Sequence, residues 1–367
     1  MDEELKYKIA ITLIPGIGDI LAKNLIAYCG GAEAVFKEKK QNLIKIPGIG
    51  TITADSIKKQ NVLARAEKEI TFILKYKIQP LFFLDDAYPK RLKQCADSPV
   101  MLYYKGNADL NAAKIISIVG TRNATTYGKT ICENFIAELA GMDVLIVSGL
   151  AYGIDICAHR AALENNLATV GVLAHGLDNI YPSVHTATAK KMVENGGLLT
   201  DYLSETNPDK ENFPKRNRIV AGMADATVVV ESKNGGGSLI TADIANSYSR
   251  DVFAFPGRID DACSEGCNNL IKINKAALIQ SAKDIVYIMG WEEKINKGKK
   301  KEQLQMLVNL NPEEELIVGV LKEKGTVNVD DICYASKLTM SKVSTLLLTL
   351  EFSNVVKSLP GKMYCLN

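Results

Sequence analysis

Between Lys114 and about Trp291, short unbroken apolar runs alternate with stretches that carry apolar residues at helical spacing. The runs cover residues 115–119, 144–147, 168–173, 197–200, 227–230 and 252–255, and the predicted helices cover 128–140, 155–165, 185–195, 217–224 and 241–249. A strand that is apolar on both faces is buried between layers, and strands that alternate with helices usually pair in parallel. The pattern therefore predicts an α/β fold with a doubly wound, mostly parallel sheet over residues 111–291.

The composition limits the class of protein. A chain of 367 residues can form two or three domains, and 47% hydrophobic with 23% charged residues is ordinary for a globular protein. The net charge of +2 does not by itself indicate a nucleic-acid partner, so any basic surface must be local. The eight cysteines lie mostly in apolar runs, which favours reduced thiols over disulfides. The acidic start does not resemble a signal peptide and no apolar run approaches ~18 residues, so we expect a cytoplasmic protein without membrane contact.

Residues 1–65 contain a repeated motif. The sequence Ile-Pro-Gly-Ile-Gly occurs at residues 14–18 and again at 46–50, each time between stretches of helical apolar spacing. The proline ends a helix, and Gly16, Gly18, Gly48 and Gly50 permit tight turns whose free amides can bind an anion. The pattern resembles a tandem helix-hairpin-helix (SAM-like) domain, which binds the DNA backbone independently of sequence. The alternative is that the motif only turns the chain between helices.

Three further segments complete the predicted organisation. Residues 66–110 are predicted as a connector with a helix and a strand near residues 80–84. Residues 292–311 are rich in lysine and predict a basic linker. Residues 312–367 predict a winged-helix domain, with helices at 314–322, 328–334 and 339–351 and a hairpin turn at Pro360-Gly361. Its last helix has only Lys342 as a cation over residues 340–350, so a protein partner is at least as suitable as DNA.

Candidate ligand groups follow several of the predicted strands. Ligands bind at the carboxyl ends of the strands in such sheets, and glycine clusters at four strand ends exceed what turning requires. Arg122 adds a planar charged group suited to phosphate. The candidates are Gly120, Thr121 and Arg122 after the first strand, Ser148, Gly149 and Gly153 after the second, and Gly236, Gly237, Ser238 and Thr241 after the fifth. These positions predict a phosphate or nucleotide site, and the alternative is structural turns.

A basic segment precedes the fifth strand. It contains Phe213, Lys215, Arg216, Asn217 and Arg218, and it leads into a predicted helix start at residue 217. Basic groups can fix a phosphate chain and an aromatic ring can stack a base, a combination that suits single-stranded nucleic acid. The alternative interpretation of Lys215 is a surface charge that contacts only solvent. Arg218 is predicted either as a contact or as a structural partner of a carboxylate such as Asp225 or Glu231.

Several enzyme classes lack their motifs. No Gly-x-Gly-x-x-Gly follows the first strand, and no Gly-x-x-x-x-Gly-Lys-Ser/Thr occurs anywhere. The three histidines are scattered, and Cys263 and Cys267 lack a second ligand pair, so neither set predicts a metal site. Asp155 and Asp178 lie near helix starts, where capping explains a carboxylate. The sequence predicts no catalytic residue, no metal and no cofactor.

Taken together, the motifs resemble those of the DNA processing protein A family (DprA, also called Smf). The similar segments are residues 118–128, 148–155, 214–219, 236–242, 250–257 and 264–271, with 88–89 and 99–107 upstream. They run in order along nearly the whole chain, which makes the resemblance specific. Two positions depart from the family pattern: Ala174-His175-Gly176 replaces a turn richer in glycine and hydroxyl groups, and Ser249 stands where a glycine is usual.

The resemblance implies an extended Rossmann-like domain that forms a homodimer and binds single-stranded DNA in a basic pocket. It also implies that the protein protects incoming strands during natural transformation and loads the RecA recombinase onto them. Carried over by position, Gly120, Thr121 and Arg122 would hold a backbone phosphate, with residues 215–218 beside them. The alternative is a nucleotide-processing phosphoribohydrolase, which shares the sheet and places a catalytic glutamate after a glycine-rich loop. Here the comparable loop, residues 235–241, lacks that glutamate, and Glu231 precedes it.

Overall fold

The structure is a computed structural model that describes residues 3–59, 61–291, 310–353, 355–359 and 362–366. The chain divides into two units, residues 1–291 and residues 292–367. The predicted basic linker, apart from its last two residues, and the predicted turn at Pro360-Gly361 lie outside the described residues.

Five short helices begin the first unit. They are α1 (Glu3–Thr12), α2 (Asp19–Cys29), α3 (Ala32–Lys37), α4 (Lys40–Leu43) and α5 (Thr51–Lys59). The two copies of the repeat join α1 to α2 and α4 to α5 with matching backbone geometry, since Gly16 and Gly48 have φ angles of 80° and 84°. The isoleucines of both copies are buried. Because only glycine adopts such angles readily, the sequence repeat is also a structural repeat.

A nine-stranded sheet forms the centre of the first unit. Its strands are β1 (Gln79–Phe82), β2 (Met101–Gly106), β3 (Lys114–Val119), β4 (Val144–Ser148), β5 (Thr169–Val172), β6 (Gly196–Thr200), β7 (Ala226–Val229), β8 (Asp251–Ala254) and β9 (Ala277–Leu278). The spatial order is β1-β2-β6-β5-β4-β3-β7-β8-β9. The seven strands β3 to β9 pair in parallel. At one edge, β1 pairs antiparallel with β2, and β2 pairs antiparallel with β6. The chain starts the parallel part at β3 and builds outward on both sides, so β3 and β7 flank the crevice where such sheets bind ligands.

Helices cover both faces of the sheet. They are α6 (Leu63–Tyr76), α7 (Lys90–Lys93), α8 (Thr126–Glu138), α9 (Ile154–Glu164), α10 (Thr186–Glu194), α11 (Asn212–Met223), α12 (Gly237–Ser247), α13 (Glu265–Lys272) and α14 (Ala282–Ile288). Ile116 and Ile118 of β3 pack with residues of α8 and α9, whereas Ile115 and Val119 pack with residues of α11 and α12. Successive strand residues point to opposite faces, so a strand covered on both faces is apolar throughout.

The fold class predicted from the sequence is confirmed, with differences at individual elements. β2 and β9 were not predicted, and β1 with β2 adds an antiparallel edge from the predicted connector. The helix predicted to start at residue 217 begins at Asn212. Pro214 is compatible with this earlier start because it lies in the first turn, where proline breaks no helical hydrogen bond. The helix predicted to start at residue 241 begins at Gly237. Residues of β1 and β2 share one hydrophobic core with the N-terminal helices.

The second unit is a winged helix. It contains α15 (Pro312–Lys324), β10 (Val327–Asn328), α16 (Val329–Ser336), α17 (Met340–Phe352), β11 (Val356–Leu359) and β12 (Met363–Leu366), and its sheet has the order β10-β12-β11. Asn311 caps α15 in a capping box with Glu314, which fixes the start of that helix. Lys342 of α17 bonds through Nζ to Oε1 of Glu313 at 2.5 Å. None of the helices in the described parts of either unit is long and apolar enough to cross a membrane.

Candidate functional site

Glu231 fixes the loop that joins β3 to α8. Its backbone oxygen accepts a hydrogen bond from the Thr121 N–H at 2.7 Å. Its carboxylate accepts from the Thr125 N–H at 2.9 Å and from the Thr125 hydroxyl at 2.6 Å, and the residue is 2% exposed. In doubly wound sheets a ligand phosphate commonly binds at such a helix start. Here the chain's own carboxylate is bound there, and Arg122 remains exposed in the same loop.

Arg122 lies beside an aromatic ring. Its guanidinium carbon is 5.1 Å from the ring centroid of Phe213, which is a cation–π distance. The Phe213 and Tyr181 rings lie 6.2 Å apart, and both line a recess of about 90 Å³ together with Arg122, Tyr152 and Arg216. A cation with aromatic walls suits a planar base that carries a phosphate. The structure thus brings Arg122 and Phe213 together although 91 positions separate them in the sequence.

Arg216 contributes charge to this recess from a buried position. It is 5% exposed, and its guanidinium donates to the backbone oxygen of Val172 at the end of β5 and to Oδ1 of Asn217 at 3.2 Å. Burial lowers the pKa of Arg216 and raises the pKa of nearby Asp155, because each charged form loses water. Any Cβ at Gly149 would lie 2.5 Å from the Arg216 guanidinium, so glycine leaves the space that this arginine needs.

Arg218 is a structural residue in this structure. Its Nη2 atom lies 2.9 Å from Oδ2 of Asp19 and 3.0 Å from Oδ2 of Asp201, and Nη1 donates to the backbone oxygen of Asp97. The carboxylates expected as partners are occupied elsewhere: Asp225 bonds to Arg91, and Glu231 bonds to Thr125. The guanidinium is therefore engaged between the N-terminal helices and the sheet, which leaves it unsuited to the predicted DNA contact.

Several predicted hydroxyl and glycine candidates lie apart from the recess. Ser148 donates to the Ile118 backbone oxygen at 2.6 Å, and Ser238 donates to the Ser232 hydroxyl at 2.8 Å. Both hydroxyls are buried, as is Thr241. The start of α12, with Gly236 and Gly237, does not line the recess. Among the described residues, the predicted positions at the start of α12 are therefore separate from the recess that Arg122 lines.

The remaining predicted residues surround Arg122 or lie on the adjacent helix. Gly153 has a φ of 77°, and a Cβ there would collide with the backbone of the loop that holds Thr121 and Arg122. A Cβ at Gly120 would lie 2.5 Å from Ile154, so this glycine allows β3 and α9 to approach closely. Lys215 is exposed in the first turns of α11.

His159 joins the first residue of β5 to the turn that follows β4. Its Nδ1 atom lies 2.7 Å from the Thr169 hydroxyl, and its Nε2 atom lies 2.5 Å from the Gly149 backbone oxygen. A carbonyl oxygen only accepts, so Nε2 carries the proton of the neutral ring. Burial is the main cause that lowers the pKa of His159 to about 4. The ring is therefore neutral at neutral pH and holds the Gly149 turn in place.

Three residues that shape the site were not among the predicted site residues, namely Tyr152, Tyr181 and Glu231. All three follow predicted strands, but a single aromatic or acidic residue in a loop has no pattern that marks it. Among the described residues, no group of three or more histidine, cysteine or acidic side chains is placed to hold a metal ion.

The hairpin glycines Gly16, Gly18, Gly48 and Gly50 are all exposed. The two hairpins differ in the residue that starts the following helix. In the first, Asp19 stands there, and its carboxylate accepts from Val100 N–H and Arg218. In the second, Thr51 stands there, so no acidic side chain competes with an incoming phosphate in that first turn.

The chain is similar to several known proteins over most of its length. The family model described as DNA recombination-mediator protein A matches residues 79–290, and the model described as DprA winged helix domain matches residues 305–362. Protein Smf from Synechocystis is 30% identical over 99% of both chains, and DNA processing protein DprA from Streptococcus pneumoniae is 41% identical over 55% of this chain and 71% of its own. A solved structure of the Streptococcus pneumoniae protein is similar with a TM-score of 0.67 and 34% identity, covering 77% of this chain and 97% of that one. A solved structure of DNA processing protein A from Helicobacter pylori, described as having a unique single-stranded DNA binding mode, has a TM-score of 0.53 and 29% identity over 58% of this chain and 96% of that one.

Proposed function

The chain belongs to the DNA recombination-mediator protein A family, as its motifs predicted, and from this premise we propose that it binds single-stranded DNA at Arg122 without catalysis. The observation that carries the proposal is the exposed Arg122 guanidinium 5.1 Å from the Phe213 ring. Arg122 binds a backbone phosphate, and the attached base enters the recess that Phe213 and Tyr181 line.

The recess favours single strands over duplex. A base inside a duplex is stacked and paired, so it reaches a wall of aromatic rings only after it leaves the stack. A single strand presents its bases without that cost, and base–aromatic stacking is tolerant of sequence. Buried Arg216, which lines the recess, adds a positive potential there, and exposed Lys215 of the same helix binds a neighbouring phosphate. We retain Thr121, Gly120, Gly149 and Gly153 as residues that shape this site.

A nucleotide hydrolase on the same sheet is the less suitable function. The Glu231 carboxylate accepts two hydrogen bonds from Thr125 and is buried, so it holds a loop and does not face a substrate. The start of α12, where the hydrolase pattern would place its catalytic group, carries Ala242 and Asp243 after Thr241. Both features support a binding role.

The direct test is a titration of labelled oligo-dT and of duplex DNA at two salt concentrations. Arg122→Ala and Phe213→Ala each weaken oligo-dT binding by about 1–3 kcal/mol, since one removes a charge-assisted phosphate contact and the other a stacking surface. Arg258→Ala is the matched control, because Arg258 is exposed and, within the described part of the chain, its only ion pair is with its neighbour Asp260. Wild-type binding falls steeply with salt because phosphate contacts release counterions. Equal affinities for Arg122→Ala and the wild type, with both folded, would contradict the proposal.

The finer roles implied by the family are also part of this proposal. The protein protects incoming strands in natural transformation, loads the RecA recombinase onto them, and forms a homodimer through the sheet domain. Sedimentation of residues 1–291 against the full chain tests the dimer, and RecA filament nucleation on coated oligo-dT tests the loading. The hairpins at Gly16 and Gly48 are secondary DNA contacts. Gly18→Ala and Gly50→Ala test them in the full chain, because the N-terminal helices share a core with β1 and β2 that a deletion would uncover.

A further inference from the structure

A second, larger cleft lies next to the recess. It is lined by residues of α8 and α9 and has a volume of about 620 Å³. Arg122 and Tyr152 line both the recess and this cleft. A chain-like ligand held by Arg122 can therefore continue from one into the other along the surface.

The cleft carries two cations near its Arg122 end. Lys129 of α8 and Arg160 of α9 are exposed, and within the described parts of the chain neither side chain has an ion-pair or hydrogen-bond partner. Glu133 and Glu164 follow each cation by four residues, which is about 6 Å along the helix axis. Both helices begin at the carboxyl edge of the sheet, so the cations lie nearer Arg122 and the carboxylates mark the far end. The positive part of the cleft is thus continuous with Arg122.

His185 adds a polar group that lacks a partner. It lines the cleft and is 3% exposed, and neither of its ring nitrogens has a hydrogen-bond partner among the described residues. Its ring lies 5.1 Å from that of Tyr152, which is half exposed between the two cavities. Burial lowers the pKa of His185, so the ring is neutral with one donor and one acceptor nitrogen. A nucleobase edge offers donors and acceptors together, whereas a phosphate offers only acceptors.

We propose that the α8–α9 cleft is a second nucleotide subsite for the same single strand. Lys129 and Arg160 bind backbone phosphates, and His185 bonds to the edge of a base that lies against Tyr152. This inference rests on the proposed binding of single-stranded DNA at Arg122, and it extends the strand by at least one nucleotide along α8 and α9.

The test compares a short and a long oligo-dT, of about 4 and about 12 nucleotides, by fluorescence anisotropy over a range of salt. Arg160→Ala and Lys129→Ala each weaken binding of the long oligonucleotide on the order of 5- to 10-fold. Each also lowers the slope of log K against log salt by about 0.7, the value for one phosphate of a single strand. Binding of the short oligonucleotide, which fills the Arg122 recess, changes much less. Lys272→Ala on α13 is the matched control, since that exposed lysine lies on the opposite face of the sheet.

The outcomes separate the two proposals. If Arg160→Ala, Lys129→Ala and His185→Gln bind the long oligonucleotide like the wild type while Arg122→Ala is impaired, the second subsite is wrong and the recess stands. If the wild type binds neither oligonucleotide, the function proposed for the recess fails and the subsite with it. The arginine and lysine variants are surface changes that leave folding intact, so the test does not depend on the buried histidine.

Discussion

Replacement of Arg218 by methionine separates the structural role of this residue from the DNA contact that its sequence suggested. The guanidinium lies 2.9 Å and 3.0 Å from the carboxylates of Asp19 and Asp201, whose side chains are 25% and 11% exposed. Methionine removes three charge-assisted contacts and leaves the two carboxylates without their cation. Breaking a buried ion pair costs roughly 3–5 kcal/mol, and the partial exposure of this cluster reduces that to about 2–4 kcal/mol.

Urea unfolding followed by circular dichroism measures this loss, with Arg258→Met as the control for an arginine in an exposed ion pair. The control variant unfolds at the wild-type midpoint. At a temperature where both variants are folded, Arg218→Met binds oligo-dT within about twofold of the wild type, in contrast to Arg122→Ala. A variant that keeps wild-type stability but loses DNA affinity would refute the structural role and restore Arg218 as a contact. The double variant with Asp201→Asn recovers part of the loss, because it removes one of the uncompensated charges.

Three further predictions follow from particular contacts. The free energy of unfolding falls by about 3 kcal/mol as the pH falls from 6.5 to about 4. In this range His159 takes up a proton in the unfolded chain but stays neutral in the folded protein, where its pKa is about 4. His159→Gln flattens this part of the pH profile, and an unchanged profile would show that other groups cause it. Glu231→Ala costs about 1–3 kcal/mol in unfolding experiments because the Thr125 N–H loses its acceptor, and Glu231→Gln costs less; equal losses would contradict the hydrogen-bonding role. Lys342→Ala leaves the salt dependence of DNA binding unchanged, because Lys342 already pairs with Glu313; a smaller slope would place the winged helix on DNA.

The repeated motif predicts the backbone geometry of the two hairpins but not their side-chain contacts. The matching φ angles at Gly16 and Gly48 follow directly from the repeated glycines. The difference between the hairpins depends on Asp19, whose carboxylate is bound by Arg218 from the sheet domain. We expect the second hairpin to contribute more to DNA binding than the first, and Gly50→Ala against Gly18→Ala in the same titration measures the difference.

The sequence by itself predicted the parallel strands β3 to β8 and the helices between them, because burial on both faces of a sheet imposes an apolar pattern that is local in the chain. The antiparallel strand β2 and the short strand β9 were not predicted. The sequence also predicted that the loop after β3, with Arg122, belongs to a binding site, since a cation that follows a buried strand and a glycine seldom stabilises the fold. Only the tertiary structure decided which cations remain available to a ligand. Arg218 finds Asp19 at a separation of 199 residues, and Glu231 finds Thr125 at a separation of 106. A charge is free or paired according to neighbours that the fold brings together, and no local pattern in the sequence records them.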